Sequence, residues 1–250
     1  RRELAELLNT FSPALVGFGC CTIGYENALE IAAAIKRDDP KLPIVFGGPH
    51  VSAMMRETLL EPCVDYVVGG EAEYTMGDLA ECLLRGKGRV EELRGIGYKR
   101  DGEPVVNSRA PLITDLDALP LPARHLVDLS NYPTPGVILS ARGCPCHCIF
   151  CAAGPLSDRK YRARSTDNFI AEVVHLKEQH GITRFFIADD LFTANRRRAV
   201  EVSKALEALP FKVEWSCESR VDTVDPDVLE AMARAGCYSV QFGVESGDDQ

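Results

Sequence analysis

Short apolar runs alternate with amphipathic stretches along the whole chain. Ala14-Leu15-Val16-Gly17-Phe18-Gly19, Pro43-Ile44-Val45-Phe46 and Val64-Asp65-Tyr66-Val67-Val68 each read as a strand, and each runs into glycine. Between them, Glu26 to Lys36 puts Leu29, Ile31, Ala32 and Ile35 on one helical face. Ala53 to Leu60 and Met76 to Arg85 read as further helices, and Arg1 to Asn9 as the tail of another, with Leu4, Leu7 and Leu8 inward. This alternation predicts a parallel sheet with helices on both faces. Gly95 to Asn107 reads as a hairpin turning at Asp101-Gly102, a decoration outside that sheet.

The pattern breaks at Pro111 to Pro135, where Pro120-Leu121-Pro122 and Pro133-Thr134-Pro135 disfavour regular structure. It then resumes. Val137 to Ser140, Thr183 to Ala188, Lys212 to Cys217 and Ser239 to Gly243 read as strands. Asp167 to Gln179, Arg198 to Leu209 and Pro226 to Ala235 read as the helices between them, the last with Asp225 as its N-cap. Polar residues follow every strand, as in part of a (β/α) barrel. The chain is therefore expected to be α/β throughout. A Rossmann-like domain over residues 1–110 leads through a proline-rich linker over 111–135 to a partial barrel over 136–250.

Composition narrows the functional classes. The 250 residues carry a net charge of −9, which argues against a general nucleic-acid footprint. The run Arg196-Arg197-Arg198 reads as the solvated start of a helix. No apolar run is long enough to span a bilayer and no signal peptide is evident. Ten cysteines without such a signal point to free thiols or metal ligation in a reducing cytoplasm. Starting at Arg1 and stopping just past a strand, the chain reads as part of a longer protein.

Four of the cysteines fall within eight residues, in Gly143-Cys144-Pro145-Cys146-His147-Cys148-Ile149-Phe150-Cys151. A strand that ends in a glycine and a cysteine loop presents thiolates at the C-terminal mouth of a parallel sheet, where such folds put their chemistry. The spacing Cys144-x3-Cys148-x2-Cys151 favours an iron–sulfur cluster with one iron left open. The alternative is a closed four-thiolate zinc site that would enlist Cys146 in a non-catalytic binding module. Cys20, Cys21, Cys63, Cys82, Cys217 and Cys237 are scattered and read as small core residues.

The cysteine loop matches CxxxCxxC, with an aromatic before the last cysteine, and so resembles the signature of radical S-adenosylmethionine (SAM) enzymes. The resemblance covers about residues 136 to 247. It implies a 4Fe-4S cluster on Cys144, Cys148 and Cys151, with SAM chelating the open iron and Cys146 as a non-ligand. It would put Phe150 against the adenine, and Asp189 and Asp190, in Phe186-Ile187-Ala188-Asp189-Asp190-Leu191-Phe192, near the methionine amino group. Glu245 and Ser246, in Gly243-Val244-Glu245-Ser246-Gly247, would face the ribose or methionine, and Arg220 would grip the methionine carboxylate with its fork. Reductive cleavage of SAM to a 5′-deoxyadenosyl radical is the implied chemistry, with a flavodoxin or ferredoxin as electron donor. The implied substrate is a small molecule of natural-product or lipid type.

Residues 11 to 85 resemble the C-terminal half of the cobalamin-binding domains that precede the catalytic domain in one subgroup of that superfamily. There the loop Gly47-Gly48-Pro49-His50 would lie beside the nucleotide tail of cobalamin, which brings Gly47, Gly48 and His50 near it. The chain departs from the pattern in having no Asp-x-His-x-x-Gly motif, whose histidine ligates cobalt in many relatives. Methyl transfer is the reaction implied if cobalamin binds. Oxidative cyclisation or rearrangement are the alternatives.

Overall fold

The computed structural model describes residues 2–247 as two units, the first ending at Ile113 and the second beginning at Thr114. The first unit runs α1 (Arg2–Phe11), β1 (Val16–Gly19), α2 (Tyr25–Asp38), β2 (Ile44–Gly47), α3 (Pro49–Ala53), α4 (Met55–Leu60), β3 (Tyr66–Val68), α5 (Glu73–Arg85), β4 (Ile96–Arg100) and β5 (Glu103–Val106). Successive side chains of a strand point to opposite faces, and β2 shows the consequence. Ile44 and Phe46 pack with Ala32 and Ile35 of α2 and Leu59 of α4, whereas Val45 packs on the other face with Leu79 of α5. Helices therefore cover both faces of a sheet in which β1, β2 and β3 are parallel.

Two sequence expectations are corrected here. The hairpin is no decoration. β4 pairs antiparallel with β3, Val68 opposite Ile96, and β5 continues the order β1-β2-β3-β4-β5. Ile96 and Tyr98 are buried, so this ribbon needs a covered face, and docking on β3 supplies it while capping an open sheet edge. The helix expected from Ala53 already begins at Pro49 and breaks at Met54, which leaves helical geometry. Proline at a first helical position costs no hydrogen bond, which is why the helix can start directly after Gly48.

The second unit runs β6 (Val137–Ile138), β7 (Ala141–Arg142), α6 (Ala153–Leu156), β8 (Arg162–Ala163), α7 (Thr166–His180), β9 (Arg184–Ile187), α8 (Arg196–Glu207), β10 (Glu214–Ser219), α9 (Pro226–Arg234) and β11 (Cys237–Phe242). Helices α7, α8 and α9 are capped by Ser165, Asn195 and Asp225, each accepting from the backbone N–H three residues on. The sheet order is β11-β10-β9-β6, every pair parallel: an arc of a (β/α) barrel. Trp215 anchors its core. The indole is fully buried, its N–H donates to the Ala235 carbonyl at 2.9 Å, and Phe192 meets it edge-on. Cys217, also fully buried, joins the same core. Among the described residues, no helix is long and apolar enough to cross a membrane.

Residues 114–135 are built into this second unit. Arg124 donates to the Val137 carbonyl at 2.9 Å and to Glu172 of α7 at 2.6 Å, and Glu172 also pairs with Arg164. The Glu172 side chain is 2% exposed, so the triad lies out of water. Removing the shared carboxylate would leave two guanidiniums facing each other in a dry site. Glu172→Ala is expected to cost about 3–5 kcal/mol in urea denaturation.

Candidate functional site

The strand expected from Val137 to Ser140 stops at Ile138, and the reason defines the site. After the Ala188 N–H donates to the Ile138 carbonyl, the next backbone donors turn from the sheet to a side chain. The N–H groups of Ser140 and Ala141 donate to Oδ1 of Asp189 at 2.7 and 2.9 Å, and the Ser140 hydroxyl donates to Oδ2 at 2.5 Å. Asp190 follows on the same loop and accepts from the Gly143 N–H at 3.0 Å. Adjacent carboxylates after β9 thus hold the chain entering the cysteine loop at three successive points.

Burial pushes the Asp189 carboxyl above the usual carboxylate range. Hydrogen bonds from Ser140 and Ala141 and the charge of Arg198 act against that shift. Arg198 was expected to be solvated, but it donates to the backbone carbonyls of Ser140 at 3.0 Å and Arg164 at 2.8 Å. Its guanidinium answers the buried carboxylate, which the first two arginines of the run do not do. The Asp189 carboxylate consequently lies elsewhere than the sequence reading expected. It is 2% exposed and engaged by the loop behind the thiols, while Asp190 is exposed.

Beyond this anchor the loop opens. Gly143 has φ +85°, and a β-carbon there would run into the Lys160 carbonyl, so the chain can turn into the thiols only through glycine. Cys144, Cys146 and Cys148 are half-buried and Cys151 is exposed. Burial pushes the Cys144 thiol up to about 11, against the lowering effect of a backbone hydrogen bond from Cys146. It would lose its proton on binding a metal. Among the described residues, no three histidine, cysteine or acidic side chains are gathered as they would be around one metal ion. A four-iron cluster takes each thiolate on a different iron, so three separate thiols on one loop are a fitting donor set.

The remaining expected residues are placed differently. The Phe150 ring is 67% exposed beside Cys151. Glu245 lies past β11 in left-handed geometry, φ +60°, with its carboxylate folded over Gly243, and Ser246 follows it in the open. Arg220, after β10, does not offer an open fork. Its Nε and Nη2 donate to the two oxygens of Asp222 at 2.9 and 2.7 Å, and Nη1 donates to the Cys148 sulfur at 3.3 Å. The guanidinium in turn holds the Asp222 carboxyl below the usual range.

In the first unit, the loop after β2 packs against the end of β1. Gly48, at φ +96°, crosses the backbone of Cys20 so closely that a β-carbon would sit 2.7 Å from its nitrogen and oxygen. His50 stacks on Tyr25 with ring centres 4.1 Å apart, and its Nδ1 is 3.1 Å from the Thr22 hydroxyl. Gly47, Gly48 and His50 are brought together at the C-terminal edge of the parallel strands, where α/β sheets take ligands.

Comparison with known proteins assigns both units. The Radical SAM superfamily matches residues 138–250 and the B12 binding domain matches residues 1–80. The chain is a radical SAM protein with a B12 binding domain. It is 32% identical over 249 residues to an uncharacterized methyltransferase of Pyrococcus horikoshii, spanning 98% of this chain and 54% of that protein. It is 30% identical over 257 residues to the anaerobic magnesium-protoporphyrin IX monomethyl ester cyclase of Cereibacter sphaeroides, spanning 98% of this chain and 42% of the cyclase. The chain thus covers about half the length of the curated relatives it matches. Among solved structures, the radical SAM methyltransferase TsrM of Kitasatospora setae, determined with cobalamin and a 4Fe-4S cluster, shares the fold. The TM-score is 0.76 at 21% identity, over 96% of this chain and 50% of TsrM.

Sequence reasoning missed the supporting residues of the radical SAM domain. Ser140, Arg198 and Asp222 carry no motif of their own. The available signals were the serine directly before the signature, the third arginine of a run whose neighbours are exposed, and an acid two residues past Arg220.

Proposed function

We propose that the protein is a radical SAM enzyme in which Cys144, Cys148 and Cys151 hold a 4Fe-4S cluster, and that its reaction is methyl transfer assisted by cobalamin. The observation that carries this reading is the cysteine loop itself: three thiols beyond the end of a barrel strand, with the chain leading into them anchored by Asp189 and Asp190. When bound, the cluster supplies the electron that cleaves SAM and cobalamin relays a methyl group.

The chain's own residues have distinct tasks. Gly143 supplies the left-handed turn that leads into the thiols, and Asp190 offers a carboxylate oxygen to the ammonium of SAM. Phe150 offers an exposed ring to the adenine, and Glu245 and Ser246 offer polar groups to the ribose or methionine. Gly47, Gly48 and His50 line the cobalamin side, where the absence of a β-carbon at Gly48 lets this loop close directly against the Cys20 backbone. A small-molecule substrate of natural-product or lipid type, a flavodoxin- or ferredoxin-type electron donor and a reducing cytoplasmic setting complete the proposal. Oxidative cyclisation is the second reading, favoured by the 30% identity to the cyclase.

Anaerobic reconstitution of the intact protein with iron, sulfide and cobalamin tests the proposal. The expected products from SAM are 5′-deoxyadenosine together with S-adenosylhomocysteine. Formation of 5′-deoxyadenosine alone would replace methyl transfer by the cyclase reading. A colourless protein that takes up zinc instead of iron and sulfide would end both.

A further inference from the structure

Arg220 is held at both ends. Its carbonyl accepts from the N–H of Thr223 at 3.1 Å and from the Thr223 hydroxyl at 2.9 Å. That hydroxyl is 2.5 Å from the hydroxyl of Thr193, which is fully buried and also bonds to Ser219. At the other end Asp222 closes on Nε and Nη2, and Arg196 donates to the Asp222 carbonyl at 3.0 Å, steadying the turn that carries the acid. The Arg220 side chain is 42% exposed, and an exposed arginine ordinarily keeps its rotamer freedom. Here the anchored backbone and the fixed fork leave Nη1 directed at the sulfur of Cys148.

We propose that Arg220, positioned by Asp222, tunes the cluster by donating an N–H···S hydrogen bond to the thiolate of Cys148, rather than gripping the carboxylate of SAM. The inference rests on the cluster reading given above. The Nε/Nη2 edge already binds Asp222 and Nη1 is engaged by Cys148, so a paired grip on the SAM carboxylate would have to displace one of these contacts. A cation donating to a cluster sulfur stabilises the more negative, reduced cluster. Its effect is therefore to raise the reduction potential and make the electron easier to load.

The test is an EPR-monitored redox titration of the reconstituted intact protein without SAM, paired with a SAM titration of the reduced spectrum. Arg220→Gln is expected to move the midpoint to more negative potential and leave the SAM dissociation constant unchanged. Arg220→Lys, which keeps the charge but loses the fork, is expected to fall between the two, and it keeps the test open if the glutamine variant loses its cluster. An unchanged midpoint with weakened SAM binding would return Arg220 to the carboxylate. An unchanged midpoint with unchanged SAM binding would equally overturn the proposal. Iron and sulfide content of the wild type, measured first, separates a failure of the cluster reading from a failure of this one.

Discussion

Cys148→Ala is expected to abolish cluster retention and reduce SAM cleavage to background, while Cys146→Ala keeps both. Three thiolates on three irons leave no redundancy, so losing one exposes a second iron to solvent and the cluster is not held. Cys146 is the only other thiol on the loop, and its role separates the two metal chemistries. A closed zinc site would need it as fourth ligand. In the cluster reading it stands beside Cys144 without binding iron, so its removal is expected to leave iron and sulfide content unchanged. The measurements are iron and sulfide content, visible absorption, and 5′-deoxyadenosine formed under dithionite. A Cys146→Ala protein without metal, beside a Cys148→Ala protein that retains it, would sink the assignment of ligands.

The parts of this molecule that local chemistry decides were readable from the chain. Apolar runs ending in glycine gave β1, β2 and β3, and the inner pair β2 and β3 is apolar on both faces because helices cover both sides before the chain turns sharply. Asp225 before Pro226 set the start of α9 for reasons internal to five residues. The cysteine spacing pointed to cluster chemistry in the same local way. What stayed hidden depends on partners far apart in sequence. The hairpin joins the sheet only because β3 offers an edge, which no pattern within 95–107 reveals. Asp189 and Asp190 are adjacent and chemically alike, yet one is sealed against Ser140 and the other is exposed. Strand alternation at the end of β9 makes that difference, together with an arginine 58 residues from Ser140. Arg220 was expected to use its fork on a ligand, and nothing in the local sequence marked Asp222 as the acid that occupies it.

Asp189→Ala is expected to destabilise the second unit by about 3 kcal/mol or more, because it strands two backbone N–H groups and a hydroxyl that the carboxylate now satisfies, at roughly 1–3 kcal/mol each. Arg198 would also lose the charge it faces. Asp189→Asn isolates these contributions. Its amide oxygen can still accept from Ser140 and Ala141, and the Ser140 hydroxyl can reverse to accept from the amide nitrogen, so only the charge is lost. Wild type and the asparagine variant are both expected to be more stable in urea than the alanine variant, which should also lose cluster content because the loop entering Cys144 is no longer fixed. The pH dependence has a definite sign. Burial raises the folded-state value of Asp189, so its contribution is fully present below the ordinary carboxylate value and is lost as pH rises through the raised one. That slope should vanish in the asparagine variant, which carries no titrating group at this position. Equal stability of the alanine and wild-type proteins would mean that the loop is held by its thiols alone and that the carboxylate behind it is a bystander.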